Sequence, residues 1–269
     1  MPLTNASLAS IEDAASHSKP EEILTALSGA FGRRAAILCG MQRAGTVLCH
    51  MAASLGLAMD VLFVDTGVLH RETLATRDKL AAAHPSLRVR TLAPAATFDE
   101  QVNREGVLYL TKEGQERCCE LRKTDPLRRV RGEYDVLVGA LRRDEGGKRA
   151  GVRIVELDRE HAVLRVHPLA ATTRAELDAY VAAHAGTEAP VVINPLHRWG
   201  FTTIGCVPCT TPVRPDEEER AGRWRHLADV SYCGINPTDR ESFDSRMTDA
   251  EQGRIGRGLE RFAELLRPA

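Results

Sequence analysis

Aromatic side chains make up only 4% of this 269-residue sequence, too few for the stacking platforms on which single-stranded nucleic acids are read. Neither sign of charge is in excess: 36 Lys and Arg stand against 37 Asp and Glu. That balance argues against nucleic-acid partners and a polybasic membrane surface, and leaves room for a local basic pocket. No apolar run is long enough for a transmembrane stretch, and Met1 to Ser18 has no basic region followed by an apolar one, so no signal peptide is expected. A cytoplasmic enzyme is the default expectation. Repeats and low-complexity blocks are also missing. In a reducing compartment seven cysteines do not read as disulfides; clustered ones point to metal or catalysis.

Four of those cysteines fall in two places: Cys118-Cys119, followed by Glu120-Leu121-Arg122-Lys123, and the C-x-x-C of Cys206 and Cys209. Together they would fill a tetrahedral thiolate site and pin two remote parts of the chain together. Adjacent residues on a helix point about 100° apart, so both members of the tandem pair reach one centre only at a helix end. Zinc and an iron–sulfur cluster both accept four Cys; the pair standing in for a second C-x-x-C tilts the choice towards a cluster, whose negative charge Arg122 and Lys123 would offset. Cys39 and Cys49 read as core thiols.

The pattern of short apolar runs and helical stretches predicts an α/β fold, a parallel twisted sheet with helices on both faces. A helix is expected from a Ser18 cap to Gly32. Strands are expected at 34–39, 60–64, 87–91 and 134–139, with helices from Gly45 to Leu55 and His70 to Ala83 between them. The segment 105–117 reads as a loop and Cys119 to Arg131 as a basic helix bent at Pro126. Segments 152–157 and 162–166 suit a hairpin, and Thr173-x-x-Glu176 a capping box for a helix to His184. From 190 to 215 the chain should be irregular, and the polar helix at 249–266 a loosely attached tail. The expected organisation is an N-terminal helical segment (1–32), a nucleotide- and cluster-binding α/β domain (33–228) and a C-terminal segment (229–269).

In such sheets ligands sit beyond the carboxyl ends of the strands. Those ends carry Gly40-Met41-Gln42-Arg43-Ala44-Gly45, whose backbone amides suit a phosphate or sulfate although no Lys-Ser/Thr completes a Walker loop, and Asp65-Thr66-Gly67. Arg122, Lys123, Arg142, Arg143, Lys148, Arg149, Arg220 and Arg223 sit in turns flanking the cysteines or after a strand, where they are either a solvated surface or the binders of a polyanionic nucleotide. Cys233, among small and polar residues next to Gly234, is either an incidental thiol or a nucleophile on a mobile segment.

Taken together, the residues at 64–73, 118–127, 139–144, 194–197, 204–210 and 219–224 resemble the assimilatory adenylyl-sulfate reductases, over roughly Phe31 to Gly234. The resemblance implies a sheet of the ATP-pyrophosphatase type (adenine nucleotide alpha hydrolase-like) and a [4Fe–4S] cluster on Cys118, Cys119, Cys206 and Cys209. It implies adenylyl sulfate as substrate, with cations on Lys123, Arg149, Arg220 and Arg223, and attack on its sulfur by Cys233. AMP would leave, and thioredoxin would release sulfite from the thiosulfonate. Homo-oligomers are left open.

The sequence departs from the family in three places. Ala44-Gly45 stands where the family carries an acidic pair. Tyr232-Cys233-Gly234-Ile235-Asn236 replaces Glu-Cys-Gly-Leu-His. Some thirty further residues follow that motif. The rival expectations are a sulfur-transfer enzyme with another acceptor on the same scaffold, and a cluster- or nucleotide-binding protein without turnover.

Overall fold

The computed structural model describes residues 3–159, 161–227 and 247–267. Its centre is a six-stranded sheet of order β3-β2-β1-β4-β6-β5. The strands are β1 (Ala35–Leu38), β2 (Asp60–Val64), β3 (Arg88–Leu92), β4 (Val136–Val138), β5 (Val155–Asp158) and β6 (Val163–Val166). The first five strands in that order pair in parallel and β5 runs antiparallel to β6, as the expected hairpin requires. The sheet is therefore mostly parallel, with an antiparallel edge.

Period-two alternation explains why both faces are covered. Ala35, Ile37, Val61, Phe63, Val136, Val138, Leu164 and Val166 enter one core cluster. It includes buried side chains of α1 (Asn5–Ser16), α2 (Pro20–Phe31), α3 (Arg43–Ser54), α4 (Arg71–Ala83) and α8 (Arg174–Ala183). Ala36, Leu62, Val64, Leu137 and Val163 enter the other cluster, with Leu127 of α7 (Asp125–Arg128) and Val130 just beyond it. On the edge, β3 carries Arg88 and Arg90, charges that discourage further strand pairing.

Four local expectations differ from what is observed. Helix α1, not foreseen, is started by a Thr4–Ser7 capping box and buries Leu8, Ile11 and Ala15. Lys19, not Ser18, is the N-cap of α2, because Glu22 closes on the Lys19 amide at 2.8 Å. The segment expected as a loop, 105–117, follows directly on α5 (Phe98–Glu105) and contains most of α6 (Lys112–Cys119), capped by Thr111. Gly114 makes that second start possible: a Cβ there would lie 2.1 Å from the Leu108 carbonyl oxygen.

The fourth difference is α9 (Asp249–Leu265), which is no loose tail. Its Ile255, Leu259 and Phe262 are fully buried in the first core cluster, each worth about 1.5–3 kcal/mol against exposure. It lies on α2, where a methyl on Gly258 would come within 2.1 Å of the Phe31 ring. The capping box at Thr173 and Glu176 forms as expected, at 3.2 and 2.7 Å. Cys39 and Cys49 are buried core thiols.

Candidate active site

From β1 the sheet is built outward through β2 to β3 on one side and from β4 through β6 to β5 on the other, so the carboxyl ends of the parallel neighbours β1 and β4 form the crevice where such sheets take ligands. A cavity of about 150 Å³ opens there, walled by the β1–α3 turn, by Gly139 to Arg142 after β4, and by Thr202, Thr203, Glu219 and Arg223. Of the expected substrate residues, Gly40, Gln42, Arg142, Arg149 and Arg223 line it.

The turn is tightly held. Met41 is buried with φ of 56°, a left-handed conformation that costs a non-glycine residue free energy and needs its surroundings to impose it. Asn194 imposes it here, donating Nδ2–H to the Met41 carbonyl at 3.2 Å and to Thr73 Oγ1 at 3.1 Å. His197 accepts the Arg43 amide at Nε2 (3.1 Å) and lies 2.7 Å from the Phe201 carbonyl at Nδ1. That pairing requires the neutral Nδ1–H tautomer, and burial holds the His197 pKa down to about 4. Gln42 accepts the Ile204 amide at 2.9 Å, tying this turn to the C-x-x-C segment.

The four site cysteines line a second, tight cavity with Phe98, Tyr109, Gln115, Arg122 and Lys123. Cys118 and Cys119 end α6, and the chain continues into a wider π-helical turn, Glu120–Thr124; a helix end is where adjacent thiols can share one centre, and such turns recur at functional sites. Cys206 pairs with Leu69 in an antiparallel bridge, and the Trp224 amide donates to the Cys209 carbonyl at 3.0 Å.

Polar groups are aimed at the sulfurs. Gln115 Nε2–H donates to Cys119 Sγ at 3.0 Å, and Thr66 Oγ1 lies 3.2 Å from Cys206 Sγ. Arg122 is buried and bonded to neutral oxygens, those of Thr66 at 2.5 Å and Gln101 at 3.0 Å among them. Burial lowers its pKa, and the facing Cys118 and Cys206 offset that shift. Burial pushes the Cys118 thiol up, and the Cys209 thiol up to about 12 with neighbouring Cys206 adding to the rise.

Thiols, an amide N–H directed at sulfur, a hydroxyl within hydrogen-bond distance of another sulfur, and two buried cations make a set whose chemistry fits a thiolate-bound centre. The cysteines are not drawn into a closed ligand shell: among the described residues no three His, Cys, Asp or Glu side chains form a group that would hold a metal ion.

Of the remaining expected substrate residues, one lines the thiol cavity and the others lie outside both. Thr66 faces Cys206, and Gly67, at φ of 74°, lies so close to Arg122 that a Cβ would meet its Nη2 at 2.9 Å. Asp65 caps that turn by accepting the Gly67 amide at 2.9 Å. Lys123 is buried beside the thiols. Arg220 lies over the Trp224 ring at 6.0 Å and lines neither cavity. Cys233 lies outside the described residues.

Arg223 joins the two cavities. It lines the first, and its charge acts on Cys209 of the second. Only 8% exposed, it stacks on Trp224 at 4.4 Å, and its Nε and one terminal nitrogen have no hydrogen-bond partner. Gly205 leaves the space for it: a Cβ there would stand 2.8 Å from the guanidinium carbon.

Sequence reading missed Arg43, Arg165, Arg174, His197, Glu145 and Glu219 as cavity walls. Arg165 had a signal, a charge inside the apolar strand β6. It is buried and meets Asp158 Oδ2 at 2.8 and 2.9 Å, which, with His161, keeps that buried acid ionised.

An α/β sheet with an anion-suited crevice at its switch point and a thiol-lined cavity beside it defines a nucleotide-binding class of protein with a second, sulfur-based site. The phosphoadenosine phosphosulfate reductase domain matches residues 34–212. The chain belongs to that family. It is 43% identical over 193 residues to the adenosine 5'-phosphosulfate reductase of Deinococcus radiodurans, covering 71% of each chain. It is 33% identical to the adenosine 5'-phosphosulfate reductase of Mycolicibacterium smegmatis, over 80% of this chain and 87% of that one. The phosphoadenylyl-sulfate reductase of Candida auris, solved as a phosphate complex, shares the fold with a TM-score of 0.65 at 18% identity, covering 78% of this chain and 99% of that one.

Proposed function

We propose that the chain reduces adenylyl sulfate to sulfite and AMP, with thioredoxin or a similar dithiol as electron donor. In this reading the nucleotide lies at the β1/β4 crevice, against the Gly40–Gln42 turn, with Arg142 and Arg149 around its anionic groups. Asp65, Thr66 and Gly67 shape the wall shared with the thiols. Arg223 and Lys123 meet the sulfate end. The observation that carries this is Arg223: a buried guanidinium with unpaired N–H groups, lining an open crevice beside four cysteines, is built to receive an anion.

Cys233 is the proposed nucleophile. Its thiolate attacks the sulfate sulfur, the bond from sulfur to the bridging oxygen breaks, and AMP leaves with the electron pair. One thiolate of the dithiol then attacks Cys233 sulfur and sulfite departs. The second thiol closes the donor's disulfide and restores Cys233, so the donor supplies two electrons. A thiolate approaching an anionic sulfate is repelled unless cations screen both, which is the work assigned to Arg223 and Lys123.

Cys118, Cys119, Cys206 and Cys209 would hold a [4Fe–4S] cluster, which, when bound, supplies an electrostatic and structural neighbour to the substrate. A reduced dithiol partner is the ordinary condition of the cytoplasm, where we place the protein. Among the described residues no helix is long and apolar enough to cross a membrane.

The test is mass spectrometry of the full chain, purified without oxygen and incubated with adenylyl sulfate. A sulfonate adduct on Cys233, released as sulfite by reduced thioredoxin, is the expected result. Sulfite formation at the wild-type rate by Cys233→Ser would overturn the proposal. Sulfur handed to another acceptor would identify the transferase reading instead.

A further inference from the structure

The crevice carries acids as well as guanidinium groups, and the reductase reading uses none of those acids. Six arginines line it. Arg43 pairs with Asp178, and Arg165 with Asp158. Arg142 meets Asp144 at 2.6 Å and Glu219 at 3.4 Å. Arg174 meets Asp178 at 3.1 Å and Glu219 at 3.5 Å, and Arg149 pairs with Glu145. Glu219 thus bridges two of the six and Glu145 holds a third, both acids lining the cavity themselves. Arg223 is the lining arginine without an acid partner among the described residues.

Resting on the reductase reading, we propose that Glu219, with Glu145 beside it, determines specificity: it sets the crevice's charge for a nucleotide with two negative charges and turns away one with an added phosphate. A doubly charged nucleotide finds Arg223 open. A 3'-phosphate adds about two further charges at neutral pH, and these need cations already held by Glu219 and Glu145. Pulling Arg142 away would leave Glu219 only its longer contact to Arg174, and pulling Arg149 away would take the nearest cation from Glu145, each a costly change for a partly buried carboxylate. Leaving them in place sets phosphate against carboxylate in a small cavity, where like charges are strongly disfavoured. The backbone that carries Glu219 is held in place, since Thr202 Oγ1–H donates to the Glu219 main-chain carbonyl and the Arg223 amide donates to the Arg220 carbonyl in the same turn.

Calorimetric titration of the full chain with AMP and with adenosine 3',5'-bisphosphate tests this without needing turnover. The wild-type chain should prefer AMP by about tenfold or more, and Glu219→Gln, which keeps shape and hydrogen bonding, should shrink that preference about tenfold by gaining the bisphosphate. Glu145→Gln should move the ratio the same way. Equal wild-type affinities overturn the inference whether or not Glu219→Gln folds, and so does a ratio unmoved in both variants. If the wild-type chain binds neither nucleotide, the reductase reading itself falls, a result distinct from equal binding.

Discussion

Gly205 and Gly45 each make room for one functional contact. At Gly205 the missing side chain is the space occupied by Arg223 and Thr210. Gly205→Ala should therefore displace the guanidinium, weakening adenylyl-sulfate affinity about tenfold, the worth of one charge-assisted hydrogen bond. Calorimetry checks this, and unchanged affinity would remove Arg223 from the binding site. At Gly45 a Cβ would stand 2.9 Å from the Cys39 sulfur. A side chain at Gly45 thus meets a closed position, and the turn is held by Asn194, His197 and Gln42.

Two elements set the site's frame. Helix α6 with its π turn presents adjacent thiols from a helix end, and the segment around Cys206 and Cys209 is clamped between Val68–Leu69 and Trp224. Helix α9 supports the sheet from outside, its apolar face on α2 and its N-cap Thr248 in a capping box with Glu251. Leu259→Ala should cost about 2–5 kcal/mol, because a fully buried leucine leaves a cavity. Denaturant unfolding reads that loss, and a stability equal to wild type would mean that α9 docks without belonging to the cooperative unit.

Across the whole molecule, stability should depend on pH through buried imidazoles. Burial lowers the pKa of His50, His70, His84 and His161, and that of His197 to about 4. Below about pH 6.5 the unfolded chain takes up protons that the folded chain refuses. Stability should thus be full above that value and fall as pH drops towards 4, with His197 contributing on the order of 3 kcal/mol. Unfolding curves at pH 7.5 and 5 should show the drop, and His197→Gln should shrink it; a flat profile in the wild-type chain would contradict the buried neutral tautomer. The same crevice balances six lining arginines against nearby acids, a charge relation invisible in a sequence whose totals nearly cancel.

What the sequence determined by itself was local. Apolar runs of strand length, the Thr173–Glu176 box and the Cys-Cys and C-x-x-C spacing depend on neighbours a few residues apart, so the parallel sheet and the four candidate thiols were legible. Pairings across many tens of residues were not. Asn194 on Met41, Glu219 on Arg142 and α9 on α2 are decided by which surfaces the fold brings together. The same side chains would read as loop, solvated charge or tail wherever that packing was missing.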